Sequence, residues 1–268
     1  KFGVVAAKDN TKAQDLAKEV ASYIEGKGHD VVDEANLSEV EAVITIGGDG
    51  TLLHVSCANM ELNVPFIGIN EGTLGFLTAA EGKDWQEVVD HVLEGNYEVS
   101  ESMTIEANLE PETRNRKFET FRALNEIVVK SAYRVVNLEV FVNGQKFLNI
   151  SGDGVIISTQ TGSTAYSLSS GGPIVDPQID AILITPISAH GLPIPSVVIS
   201  PENTVEVKVI AGDDVSLIID GQQHESVSKG QSIKVSKGKS RVKLGYLDRD
   251  HFLKALNAKF GLASRLTQ

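Results

Sequence analysis

The sequence predicts two domains: an α/β domain with an open, mostly parallel sheet, then a layered, sandwich-like all-β domain. Over about the first 95 residues, strand-like and helix-like segments alternate as they do in βαβ units. From Tyr97 to about Gly245, short β-branched segments recur with almost no helical periodicity. We therefore assign residues 1–96 to the first domain and 97–246 to the second. A final helix, in 247–268, is expected to return to the first domain.

The predicted elements of the first domain follow from apolar spacing and from capping residues. The first helix has an apolar face, with Asn10 or Thr11 as its N-cap and glycines at its end. Strands are predicted at 2–6, 30–32, 42–46 and 64–69, and helices at 11–25, from the glycine loop to about residue 60, at 85–94 and at 248–260.

The second domain is predicted to consist almost entirely of strands. Asn143-Gly144, between two β-branched runs, is a strong signal for a two-residue hairpin turn. The strands are expected at 118–130, 135–142, 146–150, 155–158, 182–185, 197–200, 205–210, 215–219, 233–235 and 242–244.

Charge and composition restrict the classes of partner. The 268 residues carry 24 basic and 36 acidic side chains, a net charge of −12. This charge argues against nucleic acid or an anionic membrane as the main partner, and no apolar run approaches the ~20 residues of a membrane span. The single Cys57 fits a reducing cytoplasm and is expected to be a packing residue. A phosphorylated ligand would need local amide dipoles, a few cations or a divalent metal.

The stretch Gly47-Gly48-Asp49-Gly50-Thr51 follows a β-branched run and precedes a helix-compatible segment. Strand, glycine loop and helix N-terminus together form an anion site, because backbone N–H groups point away from the strand end. Asp49 is out of place in such a site, since its charge would repel a phosphate. It must therefore cap the helix, hold a metal or take a proton, and the pentapeptide alone leaves capping level with chemistry.

Four further polar stretches stand where a plain scaffold would be apolar. Residues 70–77 follow a predicted strand, so their loop should open onto the same crevice as the glycine loop. Asn125-Glu126 lies inside a predicted strand, where the two side chains point to opposite faces unless a bulge intervenes. This pair could read a purine edge or ribose hydroxyls, or simply face solvent.

The longest polar stretch, 151–173, has small residues that let a ligand approach the backbone, and Tyr166 offers a flat face for a base. Asp220-Gly221-Gln222 is expected to be a turn that its own Asp and Gln side chains stabilise. His190 is expected to be an ordinary loop or packed histidine.

Several common catalytic motifs are absent from the sequence. It contains no Walker A lysine motif, Gly-x-Ser-x-Gly elbow, Cys-x-x-Cys pair or His-Glu-x-x-His motif. The dinucleotide fingerprint Gly-x-Gly-x-x-Gly is missing after the first strand, which argues against a nicotinamide dehydrogenase.

Taken in order, these stretches resemble the NAD kinase family. The most specific part of the match is Thr161-Gly-Ser-Thr-Ala-Tyr-Ser-Leu-Ser169, combined with the glycine loop. The resemblance implies phosphoryl transfer from ATP or polyphosphate to the 2′-hydroxyl of the adenosine ribose of NAD. It also implies that Asp49 takes the hydroxyl proton, that the glycine loop holds the donor phosphates, and that Mg²⁺ or another divalent metal offsets their charge.

The resemblance further implies a homodimer or homotetramer, with the NAD site completed by a neighbouring subunit. Its metal ligands stay undefined. The nucleotide-binding residues that it implies are Gly47, Gly48, Gly50, Thr51, Asn70, Gly72, Thr73, Phe76, Asn125, Glu126, Arg134, Asp153, Thr164, Ala165, Tyr166, Ser167, Ser169, Ser188 and Gln222.

The sequence departs from the family pattern at two places. Ser151 stands where a basic residue linked to discrimination between NAD and NADH is expected, and residues 191–195 replace a segment that often contains arginine. Two other functions share some of these features. A lipid kinase would share the glycine loop but needs an apolar acceptor groove, and a dinucleotide-binding regulator would bind NAD without making NADP.

Overall fold

The computed structural model describes residues 1–72, 74–110, 119–191 and 193–262, which divide into two compact units. One unit comprises Lys1–Glu101 and Val242–Gln268, and the other comprises Ser102–Arg241. The chain begins with β1 (Phe2–Ala6), α1 (Thr11–Gly26), β2 (Val31–Val32), β3 (Ala42–Ile46), α2 (Asp49–Ala58), β4 (Pro65–Asn70), β5 (Ala80–Glu81) and α3 (Trp85–Leu93).

The rest of the chain is mainly β-structure. It contains β6 (Glu98–Leu109), β7 (Glu119–Ala123), β8 (Glu126–Ser131), β9 (Val136–Val142), β10 (Gln145–Gly152), β11 (Gly154–Thr159), α4 (Tyr166–Ser169), β12 (Ile182–Ile187), β13 (Val197–Ile199), β14 (Val205–Ala211), β15 (Val215–Ile219), β16 (Gln223–Ser226), β17 (Ser232–Tyr246) and α5 (His251–Phe260). None of the helices in these described ranges is long and apolar enough to cross a membrane.

The first unit is built on a parallel sheet. Strands β2, β1, β3 and β4 pair in that order, and β4 also pairs with β5 and with the end of β17. All five residues of β3 are buried, which agrees with the continuous apolar run of a strand covered on both faces. The helix α1 is capped by Asn10, whose side chain accepts hydrogen bonds from the N–H groups of Lys12 and Ala13.

The second unit contains two packed sheets, so the predicted α/β plus layered β fold is confirmed. One sheet has six antiparallel strands in the order β13, β12, β11, β8, β15, β16. The other includes β10, β9, β14 and β17, with β6 and β7 attached through β17. A shared apolar core takes Val129 and Ile157 from the first sheet and Val207 and Val235 from the second. Burial of this core is the main force that holds the sheets together.

Some predicted elements differ from the observed ones. The predicted strand 118–130 is two strands, β7 and β8, because the chain bends at Leu124 and Asn125; residue 118 lies outside the described ranges. The predicted strands 233–235 and 242–244 are parts of the single strand β17, whose middle is partly exposed and polar. The strand β6 was not identified because polar side chains fill its first half.

The predicted hairpin turn at Asn143-Gly144 is confirmed. It joins β9 to β10, and φ is +51° at Asn143 and +77° at Gly144. Two consecutive positive φ angles match the right-handed twist of the paired strands.

Candidate active site

The glycine loop lies between β3 and α2 in the first unit. Gly47 has φ +149°, and a Cβ there would lie 2.4 Å from Oγ1 of Thr51, so this position requires glycine. The space beside Gly48 and Gly50 is open, because a Cβ at either position would have no neighbouring atom within 4 Å. The loop backbone is therefore accessible to a ligand that needs close approach.

The N-cap of α2 is Gly48, and Asp49 is the first residue of the helix. The Asp49 carboxylate accepts three backbone hydrogen bonds from the loop that follows β4. The Phe76 N–H donates to Oδ2 at 2.8 Å, and the Leu77 and Thr78 N–H groups both donate to Oδ1 at 3.1 Å. The helix-cap interpretation of Asp49 is therefore wrong, and the carboxylate organises the 76–78 segment.

Gly75 allows this close packing. A Cβ at Gly75 would lie 1.9 Å from Oδ1 of Asp49, far inside van der Waals contact. The Gly75 N–H donates to Oγ1 of Thr78 at 3.0 Å, which closes the turn around the carboxylate. Sequence reasoning did not single out Gly75, although it lies inside the polar stretch 70–77.

The remaining predicted residues of this stretch hold the loop in shape. The Asn70 side chain accepts from the Gly72 N–H at 3.0 Å. The Leu74 N–H donates to Oε1 of Glu81 at 3.3 Å. Thr73, another predicted site residue, lies outside the described residues.

Phe76 is held from a second side by α5. Its ring centroid is 6.4 Å from that of Phe252 and 6.3 Å from that of Phe260, and the Lys259 ammonium lies 5.2 Å from it. The Phe76 backbone also raises the pKa of the His251 imidazole. The Phe76 ring is therefore engaged in packing, whereas its N–H group binds Asp49.

His251 is a buried residue with a perturbed imidazole. Burial lowers the pKa of its imidazole, and this outweighs the charges of Asp248 and Asp49 and the Phe76 backbone, which raise that pKa. The ring stacks on Tyr246, with centroids 4.4 Å apart.

In the second unit, the Leu124-Asn125-Glu126 segment forms a bend that enters β8. The prediction that it lies within one continuous strand is wrong. The Asp220 carboxylate accepts hydrogen bonds from all three N–H groups of this segment. Asp220 was predicted to stabilise only its own turn, so its role here was missed.

Glu126 is the most unusual titratable group of the second unit. It is only 6% exposed, so the solvent-facing interpretation is wrong for this residue. Its Oε2 atom has no hydrogen-bond partner among the described residues. Burial, aided by the Asp220 charge, raises the pKa of Glu126 to about 8, although the Tyr166 backbone N–H acts in the opposite direction. At neutral pH this carboxyl group is therefore largely protonated.

The polar segment that begins at Thr159 folds against this bend. The Thr159 hydroxyl donates to the Leu124 carbonyl at 2.5 Å, and the Thr159 N–H donates to the Asn125 carbonyl at 2.9 Å. A Cβ at Gly162 would lie 2.1 Å from the same Asn125 carbonyl oxygen. The glycine therefore allows the segment to pack directly on the backbone of the bend.

The residues from Thr164 to Ser169 differ in accessibility. Thr164, Ala165 and Tyr166 are half-buried, and Ser169 is exposed. Ser167 is fully buried, and its hydroxyl lies 2.9 Å from that of Thr185. The Ser167 side chain thus makes an internal hydrogen bond.

Tyr166 lies along one face of the six-stranded sheet. It packs against the apolar cluster of Val128, Ile156 and Ile187, and the Lys130 ammonium lies 5.7 Å from its ring centroid. In the sheet register Glu126 pairs with Ser158, and Lys130 pairs with Gly154. Glu126 and Lys130 are therefore four residues apart along β8, which is roughly 13 Å between their α-carbons.

The other predicted residues of the second unit occupy both ends of this sheet. Gln222 is exposed and follows β15 at the end that contains Glu126. Asp153 and Ser188 are exposed at the opposite end, beside the paired residues Gly154 and Ile187. Arg134 is also exposed, and its guanidinium lies 3.1 Å from the Asp213 carboxylate. The structure thus distributes this predicted set along the sheet, with Tyr166 between the ends.

Comparison with known proteins decides the family. The family model of the ATP-NAD kinase N-terminal domain matches residues 4–97, and that of the ATP-NAD kinase C-terminal domain matches residues 124–245. The NAD kinase of Lachnoclostridium phytofermentans is 32% identical to this chain, over 97% of the chain and 99% of its own length. This chain belongs to the NAD kinase family. The predicted family and the predicted enzyme class, a phosphotransferase, are both confirmed.

Other similar proteins agree with this family. The NAD kinase of Thermomicrobium roseum is 33% identical over 99% of this chain and 92% of its own length. Yeast NADH kinase complexed with NADH shares the fold with a TM-score of 0.89 at 23% identity, covering 100% of this chain and 90% of the yeast chain. An Archaeoglobus fulgidus NAD kinase in complex with ATP has a TM-score of 0.79 at 24% identity, covering 96% of this chain and 98% of its own.

The contact between Gly75 and Asp49 predicts a strong effect of a single methyl group. We expect Gly75→Ala to reduce kcat of the kinase at least tenfold, because the new Cβ would displace the Asp49 carboxylate from its three amide donors. Gly82→Ala is the matched control, since the nearest atom to its Cβ lies at 3.5 Å. Steady-state kinetics of the two folded variants test this, and equal activities would contradict it.

The protonated Glu126 predicts an inverse dependence of stability on pH. Between pH 4.5 and about 8 the folded state retains a proton that the unfolded state releases. Stability should therefore fall as pH rises through this window, by up to about 1.4 kcal/mol per pH unit. Urea unfolding of the parent and of Glu126→Gln from pH 5 to 8 tests this. The variant should lose this contribution, whereas Glu119→Gln, at an exposed position, should retain it.

Proposed function

We propose that this enzyme transfers the γ-phosphoryl group of ATP to the 2′-hydroxyl of the adenosine ribose of NAD, forming NADP. The bond between the 2′-oxygen and the γ-phosphorus forms, the bond from that phosphorus to the β–γ bridging oxygen breaks, and ADP leaves. Asp49 receives the hydroxyl proton. The observation that carries this proposal is a fixed carboxylate in a glycine loop whose backbone is open to a ligand.

The hydrogen bonds of Asp49 are compatible with a role as general base. A carboxylate offers about four lone-pair sites, and three N–H donors occupy three of them. Only one of these donors binds Oδ2, so this oxygen retains a site for a substrate hydroxyl. The same bonds fix the orientation of the carboxylate, which reduces the reorganisation needed during proton transfer.

We assign the donor phosphates to the first domain, 1–96 with 247–268, and NAD to the second domain, 97–246. Phosphate binding is proposed for the glycine loop and the 70–77 loop, where backbone N–H groups rather than cations would supply the attraction. This arrangement suits a protein with a net charge of −12.

NAD binding is proposed for Asn125, Glu126 and the Thr164–Ser169 segment. A protonated Glu126 can donate as well as accept a hydrogen bond, and it does not repel the pyrophosphate of NAD. The half-buried Tyr166 ring provides a stacking face for a base. Further contacts are proposed for Arg134, Asp153, Ser188 and Gln222, all of which are exposed.

Mg²⁺ or a similar divalent ion is proposed to enter bound to the phosphates of ATP. The described residues contain no group of three or more His, Cys, Asp or Glu side chains that could hold a metal. Mg²⁺ commonly binds through one or two carboxylates together with the phosphates of its substrate. When bound, the ion would offset the negative charge of the phosphates.

Two properties of the enzyme in the cell complete the proposal. We propose a cytoplasmic location, supported by the single cysteine in a sequence of 268 residues. We also propose a homodimer or homotetramer in which a neighbouring subunit completes the NAD site, as the family resemblance implies.

The reaction is tested by incubating the enzyme with ATP, Mg²⁺ and NAD and detecting product with an NADP-specific dehydrogenase. Parallel reactions with polyphosphate and with NADH establish the donor and the consequence of Ser151, which is exposed here. NADP formation is the expected result. Tight NAD binding without NADP would contradict the proposal and favour the regulator instead.

The role of Asp49 is tested by Asp49→Asn. We expect kcat to fall by several orders of magnitude while the Kd for NAD changes little, because the amide cannot accept the proton. Near-parental kcat in a folded Asp49→Asn variant would show that Asp49 is not the base.

A further inference from the structure

Asp220 is bound by three consecutive backbone N–H groups. The Leu124 N–H donates to Oδ2 at 2.9 Å, the Asn125 N–H donates to Oδ1 at 2.8 Å, and the Glu126 N–H donates to Oδ1 at 2.9 Å. The side chain comes from the turn after β15, almost a hundred residues later in the chain. A charged acceptor makes each of these bonds stronger than a neutral one would.

Asp220 is itself held in place by the same segment. Its own N–H donates to the Glu126 carbonyl at 3.0 Å, and the residue is 9% exposed. Its φ angle of +48° is uncommon for a residue other than glycine, although aspartate tolerates this region. This backbone conformation and the burial of a charge both cost free energy. The hydrogen bonds between Asp220 and the 124–126 segment offset that cost.

These hydrogen bonds interrupt the predicted strand 118–130 at the 124–126 segment. Two residues of the predicted site, Asn125 and Glu126, lie in this segment. Three N–H groups converging on one carboxylate cannot all take part in a regular strand ladder. The bend therefore separates β7 from β8 and sets the direction in which Asn125 and Glu126 leave the backbone.

We infer that Asp220 is a positioning residue that fixes Asn125 and Glu126 for the binding of NAD. This inference rests on the proposed function, because it assumes that these two residues contact the dinucleotide. Asp220 does not itself need to touch the substrate. It acts by fixing the backbone and by placing a negative charge near Glu126.

The charge has an effect that a purely structural contact would lack. The groups that face Glu126 are Asp220 and the Tyr166 N–H, and Ser158 pairs with Glu126 in the adjacent strand. Of these, only Asp220 is charged, and its charge raises the pKa of Glu126. Removal of the charge should therefore shift the ionisation of Glu126 to lower pH.

Asp220→Asn tests the inference. The amide retains one acceptor oxygen but presents N–H groups to a backbone N–H donor. We expect kcat/KM for NAD to fall about 10–100-fold, the loss expected for a buried hydrogen bond to a charged group, with KM for ATP within twofold of the parent. One limb of the pH profile of kcat/KM for NAD should reflect the ionisation of Glu126. In Asp220→Asn this Glu126 limb should move to lower pH.

Asp214→Asn is the matched control. Asp214 precedes the same strand, β15, and has φ +51°, close to that of Asp220, but its side chain is exposed. The control makes the same chemical change in the same backbone conformation without a buried contact. Its kinetics should equal those of the parent.

Asp220→Glu separates charge from position and provides a second route if Asp220→Asn does not fold. It keeps the negative charge but moves it by one methylene group. We expect a similar loss of kcat/KM for NAD, with the Glu126 limb at its parental pH. The inference would be overturned if neither Asp220 variant had a lower kcat/KM for NAD than Asp214→Asn. It would also be overturned if folded Asp220→Asn kept the parental pH profile of kcat/KM for NAD.

NAD binding measured by calorimetry without ATP distinguishes failure of this inference from failure of the proposed function. A parent protein that binds NAD but forms no NADP would contradict the proposed reaction, yet the Asp220 variants could still be compared through their Kd for NAD. Weaker NAD binding in both Asp220 variants than in Asp214→Asn supports the inference. Unchanged NAD binding in both overturns it.

Discussion

The structure depends on a carboxylate that binds three consecutive backbone N–H groups, and among the described residues this interaction is found in each unit. Asp49 binds the 76–78 segment, and Asp220 binds the 124–126 segment. In both cases Oδ2 accepts a hydrogen bond from the first N–H group of the segment, and Oδ1 accepts hydrogen bonds from the next two. The peptide groups of a loop have no ladder partners, so an ionised side chain can satisfy them together and define one conformation for the whole segment. Loops held in this way can present other side chains as precisely as a strand does.

The sequence allowed the general architecture to be predicted because its signals are local. The apolar run of β3, the cap at Asn10 and the Asn143-Gly144 turn each depend on a few neighbouring residues. Elements whose formation depends on distant partners were harder. The long strand β17 has a polar middle, and it is a strand because of neighbours that are remote in sequence.

The same distinction applies to the site. Asp49 and Glu126 lie in recognisable motifs, but the groups that give them their properties lie elsewhere in the chain. No local pattern indicates that Gly75 makes room for Asp49, or that Asp220 reaches the bend at Leu124. The protonation of Glu126 likewise results from burial, which a sequence does not report. Long-range contacts therefore account for most of what could not be predicted.

The packing of Phe76 between residues of α5 has a consequence for biosynthesis. Phe76 is synthesised well before Phe252 and Phe260, because α5 comes much later in the chain. The loop around Asp49 therefore lacks part of its support until α5 has been translated. This loop would reach its final packing only after α5 has been synthesised and has docked.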